Sequence, residues 1–288
     1  MFGPLIVIYL FLAGAGCGTF VAAVYLSQRA RSSAALRRSL GRVALPSLVV
    51  SCGMVAVGAA CLMLDLGRRP ELALDVLANP AGSVLSVGAW ALVAFMAAVA
   101  ALLACNLRVL GLGRGAVLAV QALGCASALV VMVYSGLFLS TIWTLPLLAS
   151  PLVPVLFTCS SLSCGAAVML VLPLLCDADP QPLFARLSRI DGALLALEAV
   201  VLTAFMVAAA GDVLSSAAAQ RLLTGDMAPA FWGALAAVGI AAPFALEAAL
   251  RRPDARACAC IGVLVLIGGF FLRYCLCTAP FMAIASYL

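Results

Sequence analysis

The chain has 288 residues, of which 66% are hydrophobic and only 9% charged, and its formal net charge is +5. No ordinary soluble domain has that balance, and nothing in it points to nucleic acid. A segment that crosses a hydrocarbon layer about 30 Å thick needs about 20 apolar residues. Such runs fall at 4–27, 43–64, 84–107, 115–139, 152–175, 189–211, 229–250 and 257–279. The expected fold is therefore an all-α polytopic membrane protein with eight spans, short connections and no extramembrane domain.

The first span, PLIVIYLFLAGAGCGTFVAAVYLS, has no basic residue ahead of it and no cleavage site after it, so it reads as a retained span. It is followed by QRARSSAALRRSLGR, a basic segment that reads as a topology anchor. All basic residues are arginine, and the connections after spans 1, 3, 5 and 7 hold most of them. By the positive-inside rule those connections are cytoplasmic, and both termini lie outside.

Span 2 ends at Asp65, and the connection DLGRRPELALDVLANPAGS follows. Pro70, the acids after it and the Asn79-Pro80 stop predict a short interfacial helix over 70–77, beside which a peripheral partner could dock. Span 4 carries Gln121 toward the cytoplasm and Tyr134 about five residues below the outer face. Pro146, Pro151 and Pro154 then suggest a rigid link between two four-helix bundles, about 1–140 and 151–288, within one membrane domain spanning 1–288.

Span 6 places Glu198 about nine residues deep, as a proton relay or a neutral hydrogen-bonded carboxyl. Glu247 lies near the inner end of span 7. Span 8 puts Arg273 in GGFFLRYCLC, roughly 9 Å below the outer end. Asp65, Tyr134 and Arg273 thus fall in one layer, with Arg68 just above. A carboxylate at a helix C-terminus opposes the macrodipole, so Asp65 calls for a cation, and Arg68 and Arg273 are the candidates. Each residue also has a plain reading: Arg273 snorkelling to the interface, Tyr134 in an aromatic belt, and Asp65 bridged only to Arg68.

The chain contains no histidine, which excludes bis-imidazole haem and histidine-based metal sites. Its twelve cysteines include no C-x-x-C pair and read as small buried hydrophobes. Neither a haem, an iron–sulfur cluster nor a metal is expected in this chain.

Taken in order, PLIVIYLFLAGAGCGTF, DLGRRPE, YSGLFLS, SPLVPVLFTCSSLSCGAA, LEAVVLTAF and GGFFLRY resemble the NrfD/PsrC-type membrane subunits of bacterial respiratory complexes, over essentially the whole chain. The resemblance implies two four-helix bundles in the bacterial cytoplasmic membrane, without haem, binding menaquinone or ubiquinone near the outer face. It implies a ferredoxin-like 4Fe–4S subunit as partner and, through it, a molybdopterin enzyme or multihaem cytochrome of anaerobic respiration. Carried over by motif, Tyr134, Asp65 and Arg68 fall in the quinone pocket. On physical grounds Arg273 joins them as counter-charge to Asp65, while Asp65, Glu198 and Gln121 are the proton-transfer candidates. The alternatives are a secondary transporter, against which the absence of paired broken spans argues, and a purely structural membrane anchor.

Overall fold

A computed structural model describes residues 3–66, 84–141, 146–212, 215–250 and 252–285. The chain is all-helical, with no strand among the described residues. Among the described residues, eight helices are long and apolar enough to cross a membrane. They are α1 (Pro4–Arg29), α2 (Ala34–Leu66), α3 (Val84–Asn106), α4 (Arg114–Ser140), α5 (Leu152–Leu175), α6 (Gln181–Gly211), α8 (Pro229–Ala249) and α9 (Ala255–Ala285). A short helix, α7 (Ser216–Leu223), stands between α6 and α8. The expected helix over 70–77 lies outside the described residues, as does Arg68.

Local chemistry sets several boundaries. Pro4 opens α1, Pro182 sits in the first turn of α6 and Pro229 opens α8, where a missing N–H costs nothing. Arg108 (φ 59°) and Asp177 (φ 48°) take the left-handed conformation just past the ends of α3 and α5, which turns the chain sharply back.

Two helices extend well beyond their apolar cores. α2 begins inside the basic segment, because Leu36, Leu40 and Val43 form a buried stripe while Arg37, Arg38 and Arg42 face outward. α6 begins at Gln181 for the same reason, its buried stripe running Phe184, Leu187, Asp191, Leu195, Glu198 and Leu202. Hydropathy cannot locate such ends, because the charged face dilutes the apolar one.

The helices are drawn together through small residues, as expected where lipid offers no hydrophobic drive. α1 and α5 meet at Gly18 and Gly165, where a Cβ on either glycine would fall about 2.0 Å from the other helix's backbone. Gly239 and Gly268 play the same part between α8 and α9. The first part of α8, Pro229–Ala241, is wound as a π-helix. α1 packs against α2, α4, α5 and α9, so its residues reach both halves of the chain.

Candidate functional site

Arg273, in the middle of α9, is the largest fully buried side chain, at 0% exposure. Such a charge persists in an apolar interior only when its donors are satisfied. Nε donates to the Leu10 carbonyl oxygen at 3.1 Å. Nη1 donates to Ser160 Oγ at 3.2 Å and to the Gly269 carbonyl oxygen at 2.7 Å. Nη2 donates to Ser161 Oγ at 2.7 Å. The rings of Phe157 and Phe11 lie 5.2 and 5.9 Å away, at cation–π range. Space for the guanidinium comes from glycine: a Cβ on Gly14 would lie 2.8 Å from Nη2.

The charge partner is Glu198, buried on the inner stripe of α6. Ser160 stands between them, bonded to the guanidinium and to the Glu198 carboxyl. The pairing expected with Asp65 is not formed. None of Arg273's four hydrogen bonds goes to that residue, and the Asp65 carboxylate lies at the very start of α1, 2.9 Å from where a Cβ on Gly3 would be. A desolvated guanidinium binds the acceptors within reach of its own depth. Those are hydroxyls of α5 and carbonyls of α1 and of α9 itself, with the carboxyl of α6 reached through Ser160.

Tyr134 is buried with its ring laid over Gly88, where a Cβ would come within 2.4 Å of it. Its hydroxyl is paired with that of Tyr9. Tyr9 and Leu10 are consecutive, so Tyr134 and Arg273 meet α1 at one depth but on different sides. The layer expected from the sequence is therefore real for Tyr134 and Arg273, as two neighbouring centres. Asp65 stands about 9 Å further along α1, at its first residues.

A model of the family described as "Polysulphide reductase, NrfD" matches residues 1–285. The chain belongs to the NrfD family. It is also 31% identical over 121 residues to the C subunit of the polysulfide reductase of Wolinella succinogenes. That match covers 41% of this chain and spans only 38% of the relative's own length.

Two further polar groups of this NrfD chain bear on the proton-transfer candidates. Gln121 accepts from Gln28 Nε2 at 2.8 Å, at the end of the array that carries the arginine-rich segment. It is not brought to Glu198, whose neighbours come from α5 and α9. The second group was not legible as a site in the sequence. Asp191 Oδ1 accepts from Ser163 Oγ at 2.5 Å, and the Asp191 carboxyl lies against that of Glu247. Asp191 Oδ2 and both Glu247 oxygens are buried without a hydrogen-bond partner among the described residues.

Asp191 and Glu198 are two helical turns apart on one stripe, and Ser163 and Ser160 stand one turn apart on the facing helix. Glu247, Asp191, Ser163, Glu198, Ser160 and Arg273 thus form one polar file. The seven-residue spacing of the acids and the serines of SSLSCG were the available signals. What the sequence lacked was the register of α5 against α6.

Proposed function

We propose that this chain is the membrane subunit of a respiratory reductase complex and exchanges electrons between the membrane quinone pool and a docked iron–sulfur subunit. The observation that carries this reading is that α1 brings two polar centres together at consecutive residues. These are the Tyr9–Tyr134 hydroxyl pair and the Arg273 guanidinium held on Leu10. In a hydroxyl pair only one proton is used between the rings, which leaves the other O–H to donate to a quinone carbonyl. The donor set therefore fits menaquinone or ubiquinone, whose two-electron chemistry releases or takes up two protons.

Tyr134 and Tyr9 orient the ring in this reading. Asp65, at the membrane boundary, exchanges the proton, assisted by Arg68. Arg273 supplies fixed positive charge nearby, so that negative charge developing on the ligand is offset without solvent. Glu198 relays protons, and the file through Ser163, Asp191 and Glu247 continues toward the other end of the spans; Gln121 belongs to a separate polar group at that end. The natural partner is a ferredoxin-like 4Fe–4S subunit serving a molybdopterin enzyme or multihaem cytochrome. Two bundles of four spans, both termini on the outer face of a bacterial cytoplasmic membrane, complete the reading.

The test is to purify the tagged chain in mild detergent and record low-temperature EPR before and after adding a reduced menaquinol analogue. The expected result is co-purified iron–sulfur signals that appear with quinol and are absent in an assembled Asp65→Asn complex. A chain that arrives without clusters or bound quinone would overturn the reading.

A further inference from the structure

The end of the array that carries the arginine-rich segment opens into a cavity of about 620 Å³ between α1, α2 and α4. Arg31, Arg37 and Arg114 line it, and no acidic side chain does. Neighbouring arginines are engaged: Arg29 lies over the Tyr25 ring, and Arg42 donates to the Asp177 carbonyl oxygen. The three that line the cavity have no side-chain hydrogen bond or ion pair among the described residues.

Their position sharpens the imbalance. Arg114 is the first residue of α4 and Arg37 falls at the start of α2, and neither helix has an acid in its first turn. Helix N-termini already carry partial positive charge and unsatisfied N–H groups, so cations placed there oppose the dipole. Gly113, the residue that caps α4, provides no side-chain acceptor. At α2 Ser33 Oγ already accepts from the Leu36 N–H at 3.4 Å, so one anion with several oxygens would offset the guanidinium charges and the uncapped start of α4 together. Phosphate matches the planar fork of arginine and the N–H groups of a helix start alike.

The cavity does not end at the arginines. Ser27 and Ala44 are shared with a second cavity of about 300 Å³, whose walls include Val24, Leu48, Leu102 and Val117. Ser47, Asn106 and Gln121 make one side of that second cavity polar; a free phosphate has no use for its apolar side, whereas a lipid carries its phosphate and its first methylenes side by side. We propose that this mouth is a binding site for an anionic phospholipid, with the head group among Arg31, Arg37 and Arg114 and an acyl chain entering beside Leu48 and Leu102. Basic pockets between spans are suited to such head groups.

The test is native mass spectrometry of the intact complex released from nanodiscs of equal phosphatidylglycerol and phosphatidylcholine. Phosphatidylglycerol should be retained over phosphatidylcholine by roughly tenfold or more. Retention should be lost in R31Q/R37Q/R114Q and kept in R38Q, which removes an exposed arginine outside the cavity. Removing three arginines also weakens the charge bias that orients the chain, so Ala44→Phe is the second variant. It fills the shared mouth without altering charge and should lose the lipid too. Equal retention of both lipids by the unmodified complex, or undiminished phosphatidylglycerol in Ala44→Phe, would overturn the proposal. Displacement of the lipid by millimolar inorganic phosphate would overturn it as well, by showing that the site takes free phosphate.

Discussion

Arg273 Nε donates to the carbonyl oxygen of Leu10 at 3.1 Å, joining the last span to the first across 263 residues of sequence. The approach is possible because Gly14, one turn along α1, has no side chain where the guanidinium lies. The same guanidinium holds the Ser160 and Ser161 hydroxyls of α5 and faces the Glu198 carboxyl of α6. Four spans therefore meet on one side chain.

Removing that side chain should be costly. Arg273→Met leaves the Glu198 carboxyl without its counter-charge and two serines without a donor, a loss of about 3–5 kcal/mol. Arg273→Lys should recover only part of it, since one ammonium cannot reach all four acceptors in fork geometry. The double variant Arg273→Met/Glu198→Gln should be more stable than Arg273→Met alone. Thermal unfolding of the detergent-solubilised complex measures all three, and strict additivity of the two changes would contradict the pairing.

The α1–α5 seam offers a sharper contrast. A Cβ on Gly18 would fall 2.0 Å from the Ser161 backbone oxygen, and backbone cannot give way as a side-chain tip can. Gly18→Ala should cost about 1–3 kcal/mol by forcing the helices apart, and should shift Ser161 away from Arg273. Gly53, on the open side of α2, has nothing within 4 Å of the same construction. Gly53→Ala should be neutral or stabilising by about 0.5–1 kcal/mol. Equal melting temperatures for the two variants would contradict the close packing of this seam.

The tyrosine pair can be tested without disturbing packing. Tyr134→Phe keeps the ring over Gly88 and removes only the hydroxyl. If the pair positions quinone, Tyr134→Phe and Tyr9→Phe should each slow quinol-dependent reduction of the partner's clusters by roughly tenfold, with assembly unchanged. The double variant should fall little further, because either loss breaks the same pair. Wild-type rates in both single variants would remove these residues from the site.

How much of this was legible depended on the range of the interaction involved. Eight spans followed from local composition, because about 20 apolar residues in a row admit few other structures. That Tyr134 and Arg273 share a level followed as well, since relative level is a count along each helix, and they meet α1 at the consecutive Tyr9 and Leu10. The partner of Arg273 did not, because matching depth leaves the direction of a side chain open, and the guanidinium turns to Leu10 and α5 instead of toward Asp65. Asp191 was hidden for a related reason. It lies at the very start of the apolar run 189–211, where a charge reads as a span end, and only the register of α5 places Ser163 beside it.

The Asp191–Glu247 pair is where the proposed proton route is most exposed to test. Two carboxyls stand together, with three of their four oxygens unpartnered among the described residues and the fourth held by a serine hydroxyl. Buried oxygens without partners are open acceptors, so the pair is placed to take up a proton and pass it on. Asp191→Asn keeps an acceptor for the Ser163 hydroxyl and removes one of the repelling charges, so thermal stability should hold or rise. If the file feeds Glu198, proton uptake into proteoliposomes during quinone turnover should fall by roughly tenfold or more in Asp191→Asn. Electron transfer to an artificial acceptor should stay near the wild-type rate. A pH-sensitive dye enclosed in the vesicles reads the first quantity and cluster absorbance the second. Undiminished proton uptake in both Asp191→Asn and Glu198→Gln would leave the file a structural seam between α5 and α6 and nothing more.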